Sequence, residues 1–244
     1  LFEEDLYMQI DFTNFFEEYE KLAKETEQVF HKVSQSYPDE VRCSLGCSDC
    51  CYAMFDLTLV EAMYINQKFK EQLAEAKQEE ILEKANIADR QAYKIKKRIF
   101  QERQKGVDTD QLLEDVGKKR VRCPLLTDNN RCELYEYRPV TCRLYGIPLQ
   151  IGGSTHTCGL SGFEPGKQYP AVFMDKIQDK LVNLSEELVA SIPTKNTKLA
   201  EVLVPLSMAL LTEYDEEYLG IIEEDHKESQ MQSVTEWTLG NDEE

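Results

Sequence analysis

Eight cysteines fall in two groups: Cys43, Cys47, Cys50 and Cys51, then, after 71 residues without one, Cys123, Cys132, Cys142 and Cys158. The spacing is C-x3-C-x2-C-C followed by C-x8-C-x9-C-x15-C. Cysteines scattered as small core hydrophobes would not leave such a gap and then crowd four into nine positions. A disulfide framework suits small secreted chains, whereas this one is long enough for its own core and shows no secretory signal. Thiolate ligation of a soft or borderline metal accounts for the clustering best. Four thiolates complete either a tetrahedral zinc site or an iron–sulfur cluster.

In a helical or turn-like segment Cys43 and Cys47 are i and i+4, and Cys47 and Cys50 are i and i+3, so three sulfurs share one face and Cys51 points elsewhere. A fourth ligand must then come from the second group, and eight thiols permit one four-sulfur site or two. Structural zinc favours paired C-x2-4-C knuckles, which the second group lacks. Close C-x2-C steps with a remote fourth cysteine are common for iron–sulfur clusters, and a 4Fe-4S cluster is the favoured cofactor, with zinc as the alternative. The C-x3-C-x2-C step also occurs in radical S-adenosylmethionine enzymes. Here Asp49 stands where an aromatic often precedes the last cysteine, and no alternating strand–helix pattern follows.

The second group reads Arg122-Cys123-Pro124-Leu125-Leu126, then Cys132-Glu133-Leu134-Tyr135-Glu136-Tyr137-Arg138-Pro139-Val140-Thr141-Cys142-Arg143-Leu144-Tyr145-Gly146. With Cys43 to Cys51, this closely resembles the YkgJ-like cysteine-cluster family, over residues 41 to about 160. The family pattern has eight cysteines, and all eight positions are filled. The resemblance implies an intracellular zinc- or iron-chelating module, and the family includes a flagellin lysine N-methylase that uses S-adenosylmethionine. No segment here matches a methyl-donor site, so that activity does not carry over. Pro139 sets its own φ and biases Arg138 toward an extended shape, a turn that would deliver Cys142. Arg138 and Arg143 would then offset the negative charge of a thiolate site, or pair with Glu133 or Glu136.

The elements that must position these residues read as helices. Phe12, Phe15, Phe16, Tyr19, Leu22, Ala23, Phe30 and Val33 recur at helical spacing over 11–35, before Ser36, Pro38 and Asp39 stop the run. Thr58 and Glu61 fit a capping box for a second helix running from near Leu59 toward Asn86, with the pattern continuing through Ala92 to Phe100. A turn at Gly106 to Asp110 precedes a shorter segment with Leu112, Leu113 and Val116. From Cys123 to Pro165 neither period persists, which predicts a loop-rich layer with a short helix around Leu134 and a hairpin within Ile147 to Thr157. Met174 to Ile192 forms another stripe, ended by Pro193, and Leu199 to Leu211 is helical with a kink or fresh start at Pro205.

The expected fold is mainly α: a helical bundle carrying a loop-rich, cysteine-ligated metal-binding layer. Its parts are an amphipathic helix (1–40), the cysteine-cluster domain (41–160) with a helical insert (58–118), C-terminal helices packed on it (161–224), and an acidic tail (225–244), with Asp242 to Glu244 disordered.

Charge narrows the partners. With 28 Lys and Arg against 46 Asp and Glu, the net charge is −18, which repels nucleic acid and anionic membrane surfaces. No apolar run spans a bilayer, and the expected location is cytoplasmic. Residues 94–122 hold 10 basic and 5 acidic side chains, a stripe read as a solvated helix face paired with the acidic chain ends, or as an anion site. His156, two residues before Cys158, is a candidate ligand, while His31 and His226 read as surface residues. Three functions follow: a metal-binding module with a structural, chelating or electron-carrying role; a cluster-containing enzyme such as an S-adenosylmethionine-dependent protein lysine methyltransferase; or a zinc-stabilised scaffold whose acidic helices meet a protein partner.

Overall fold

The computed structural model describes residues 10–222, apart from residues 45, 109–111, 113, 114 and 116. Helix α1 (Thr13–Ser36) buries Tyr19, Ala23 and Thr26, spaced four and three as a single helical stripe requires. It ends before Pro38, where Tyr37 leaves the helical region at φ −134°, ψ 59°.

The long helix expected from Leu59 is two helices. Helix α2 (Leu59–Gln72) and helix α3 (Glu75–Gln104) are separated by extended residues Leu73 and Ala74. Gln78 seals the break by donating its side-chain amide to the carbonyls of Lys70 at 3.0 Å and Leu73 at 2.7 Å. The two helices have different surroundings. Residues Leu59 to Asn66 of α2 are buried without interruption, whereas α3 buries only Ile81, Ala85, Ala88 and Ala92 on one face. Separate axes let one helix cross the core while the other lies along its side. Of the shorter predicted segment, Leu112 is helical and buried; Leu113 and Val116 lie outside the described residues.

The capping box does not form. Thr58 precedes α2 but its side chain makes no cap bond, and its hydroxyl is buried without a partner. Ser185, from a helix 125 residues away, accepts from the Val60 N–H at 3.2 Å instead. Glu61 is committed elsewhere, as described below.

The loop-rich layer contains helix α4 (Val140–Leu144) and the hairpin β2 (Leu149–Ile151) and β3 (Ser154–His156). Gly152 and Gly153 turn the hairpin with φ of 56° and 82°, angles that two successive side-chain-bearing residues would resist. Strand β4 (Val172–Phe173) adds in parallel to β2 and leads into helix α5 (Met174–Ala190). The apolar run from Leu199 is a 3-10 turn, then strand β5 (Val204–Pro205), then helix α6 (Leu206–Leu211), rather than one helix. Pro205 has no N–H to continue a helix and holds its predecessor extended. That extended pair joins β1 (Asp56–Leu57) in an antiparallel ladder. A short helix α7 (Glu216–Leu219) follows. The fold is mainly α, as expected. The predicted tail at 225–244 lies outside the described residues.

Candidate metal centre

The chain leaves α1 through a turn at Tyr37 to Val41 and reaches Cys43, then Cys47, whose N–H donates to the Ser44 carbonyl at 2.9 Å. Cys50 and Cys51 lie on a 3-10 turn (Asp49–Tyr52). The segment is therefore not one helix, and the second cysteine group meets it edge to edge. Val121 N–H donates to the Tyr52 carbonyl at 3.1 Å, and Cys123 N–H to the Cys51 carbonyl at 2.7 Å. A tight turn, with Asn130 at φ 56°, pairs Leu126 with Cys132. Arg138 is extended (φ −59°, ψ 148°) and Pro139 starts α4, the turn expected to deliver Cys142. Cys158 follows the hairpin, in a loop tied to the first group by the Gly162 N–H donating to the Glu40 carbonyl at 2.7 Å.

All eight cysteines, 71 residues apart in their two groups, line one cavity of about 880 Å³. Within it two sets are distinguishable by which thiols feel one another. Cys50, Cys51, Cys123, Cys132 and Cys142 form one set: Cys51 and Cys142 are each pushed up by contact with Cys50 and by the nearby Cys123 and Cys132. Cys43, Cys47 and Cys158 form the other, with Cys43 pushed up to about 12 by burial, then by Cys47 and Cys158 and, across the two sets, by Cys50. Cys51, expected to point away, lines the same cavity as the other cysteines. Among the described residues no three Cys, His, Asp or Glu side chains already stand in ligating geometry around a common point.

The electrostatics follow from crowding. Cys50 is held well below the usual thiol range by contacts from Cys142 and Cys51, aided by the Arg138 guanidinium. Burial pushes Cys123 up to about 12 and Cys132 up to about 11. One thiolate is thus favoured and further ones resist forming beside it. A metal cation removes that resistance, since its thiol ligands are thiolates. The donor set, all sulfur and for the most part half-buried, fits a soft or borderline metal.

Arg138 and Arg143 do line the cavity, but not as free cations. Glu27 of α1 accepts two bonds from Arg138 at 2.8 Å and one from Arg143 at 2.9 Å. The partner is neither Glu133 nor Glu136, although Arg143 also donates to the Glu136 carbonyl. Arg138 additionally lies 4.0 Å over the Tyr135 ring. Glu61, 2 % exposed, accepts from the Tyr19 hydroxyl at 2.8 Å and from the Val140 N–H at 2.9 Å. It therefore pins α1 and α2 to the first residue of the helix that carries Cys142. Nothing near Glu27 or Glu61 in the sequence announces these partners, which lie 42 to 116 residues away.

His156 is exposed on β3 and is not among the cavity's lining residues, whereas His31, read as a surface residue, is. His226 lies outside the described residues. Four members of the basic stripe pair with acids outside the chain ends: Lys96 with Asp56, Arg98 with Glu102, Arg120 with Asp49 and Arg122 with Asp128.

No helix among the described residues is long and apolar enough to cross a membrane. Comparison with curated proteins and with solved structures finds no match. The family model CxxCxxCC, described as "Putative zinc- or iron-chelating domain", matches residues 42–159, which span both cysteine groups and the helices between them. That segment carries the cysteine-cluster domain of the YkgJ-like family.

Proposed function

We propose that this protein is a metal-binding module whose eight cysteines supply the ligands, an iron–sulfur cluster or zinc being held by four thiols of the five-thiol set and a second centre by the three-thiol set. The observation that carries this reading is the convergence of every cysteine in the chain on one cavity. The helical scaffold contributes positioning: Glu61 and the Arg138-Pro139 turn set Cys142, and Glu27 keeps two guanidinium groups at the wall, where they temper the charge of the thiolates. The spacing of the second group supports iron–sulfur over paired zinc knuckles. The role is structural, chelating or electron-carrying, in the cytoplasm.

Anaerobic purification with metal and acid-labile sulfide analysis of one sample tests this. About four irons and four sulfides per chain for the cluster, with further metal at the second centre and broad visible absorption, is the result expected. Zinc without sulfide would replace the cluster by a structural centre, and a chain free of both would overturn the reading.

One further observation favours an enzyme as the second reading. The cavity extends past the thiols to an apolar wall of Met54, Phe55, Ala88, Ala92, Ile99 and Leu206, leaving room for a small ligand beside the metal. Binding of S-adenosylmethionine to the metal-loaded protein would support a methyltransferase, and its absence would remove that alternative.

A further inference from the structure

The cavity that holds the thiols also runs along helix α3, and its character changes along that face. Ala88, Ala92, Lys96, Ile99 and Arg103 follow one another at steps of four, four, three and four, and with Phe100 they line the cavity. Such spacing makes one strip of about 22 Å on a single side of the helix. Ala88 and Ala92 are each 5 % exposed, Ile99 is half-buried, Phe100 is 61 % exposed, and Arg103 is exposed beyond it. The strip therefore starts in the apolar interior and ends at an open mouth that carries a guanidinium.

Charge adds a sign to that shape. The chain as a whole has a net charge of −18, yet the cavity is lined by six basic side chains against two acidic ones. Four of the six are held by acids: Arg138 and Arg143 by Glu27, Lys96 by Asp56, and Arg122 by Asp128. Arg103 and Arg131 have no acid partner among the described residues. An apolar cavity of about 880 Å³ with a few charged groups at its edge has the build of a small-ligand site. The ligand that fits has an apolar body and one anionic group, and a carboxylate is the anion that a single guanidinium matches in two parallel bonds. Thiolates elsewhere on the wall repel such a head, which turns it toward Arg103 and leaves the body over Ala88 and Ala92.

We propose that the α3 side of the cavity binds a small organic carboxylate, its apolar body lying over Ala88, Ala92 and Ile99 and its carboxylate meeting Arg103 at the mouth. This deepens the second reading above, a cavity with room for a small ligand beside the metal, and rests on it. It assigns that room to an anion rather than to the sulfonium cation of S-adenosylmethionine.

Titration calorimetry on the anaerobically purified full chain tests this with three probes of one chain length: octanoate, 1-octanol and octylammonium. Octanoate binds at one per chain, about tenfold more tightly than octylammonium and about threefold more tightly than 1-octanol. Arg103→Gln removes the margin over 1-octanol and leaves 1-octanol binding as it was, whereas Arg131→Gln keeps the margin. Ala92→Leu, which fills the inner end, weakens octanoate and 1-octanol alike by about tenfold. Ile99→Asp, at a half-buried position, serves where that variant does not fold, and weakens octanoate more than 1-octanol. Equal binding of the three probes, a preference for octylammonium, or loss of the margin in Arg131→Gln in place of Arg103→Gln would overturn the assignment. Metal content measured on the same sample separates this from the reading beneath it. Full metal without octanoate binding overturns the ligand and leaves the metal-binding module, whereas octanoate binding to a chain found free of metal supports the ligand and overturns the module.

Discussion

The two thiol sets share a cavity but are held by different kinds of structure. The five-thiol set is bolted to the helical core: Glu61 reaches it from α2, Tyr19 and Glu27 from α1, and the Cys51–Cys123 main-chain bond joins its two sequence groups. The three-thiol set is built from loop against loop, through the Glu40–Gly162 main-chain bond and the close approach of Cys43 to Gly146. Buried polar bonds with several partners resist displacement, and a contact that depends on the absence of a methyl group does not. The first set should therefore govern folding as well as metal content, the second metal content with a smaller effect on stability.

The comparison breaks most sharply at a ligand. Cys142→Ser should lose the metal of the five-thiol set and expose the layer to protease, because binding energy at such a site is folding energy. Cys47→Ser should lose only the metal of its own set, with milder exposure. Equal metal loss and equal digestion in the two variants would erase the distinction. Next in size is Glu61→Ala, which strands the buried Tyr19 hydroxyl and Val140 N–H and should cost about 3–5 kcal/mol in denaturant unfolding. A cost under about 1 kcal/mol would remove the bolt.

A smaller effect is expected from Gly146→Ala. The added methyl must displace Cys43 or Phe30, a crowding that costs about 1–3 kcal/mol, and should lower metal at the three-thiol set with the five-thiol set still loaded. The smallest effect is in pH. Desolvation raises the Glu61 carboxyl above 4.5 in the folded chain, against the opposing bonds from Val140 and Tyr19. Between 4.5 and the folded value the native state holds a proton the unfolded chain has released. The stability from this group is full below 4.5 and is lost as pH rises through the folded value. Glu61→Gln should flatten that slope in unfolding curves measured from pH 4.5 to 7; an unchanged slope would assign it to other carboxylates.

Much of the architecture could be read from residue spacing. The stripes of α1 and α5, the hairpin with its two glycines, and the turn at Arg138-Pro139 all follow from short-range pattern, because periodicity and proline geometry act over a few residues. The break between α2 and α3 and the strand at Val204 were not legible in this way. Each depends on what the segment packs against: α2 is enclosed and α3 is not, and Val204 finds Leu57 as its partner. Thr58 and Glu61 show the limit most clearly, since their spacing fits a capping box that the fold declines in favour of Tyr19 and Val140.

The same division runs through the candidate centre. The sequence by itself determined that eight cysteines fall in two groups and marked them as the candidate ligands, because thiol type and spacing are local properties, and it placed the family resemblance on the same residues. Only the tertiary structure decided that all eight thiols, Cys51 included, line one cavity, that Glu27 rather than a nearby acid takes the two arginines, and that Asp49 stands beside Cys158. Those outcomes depend on distances between residues as far as 116 positions apart in the chain, and such distances exist only after the helices have packed.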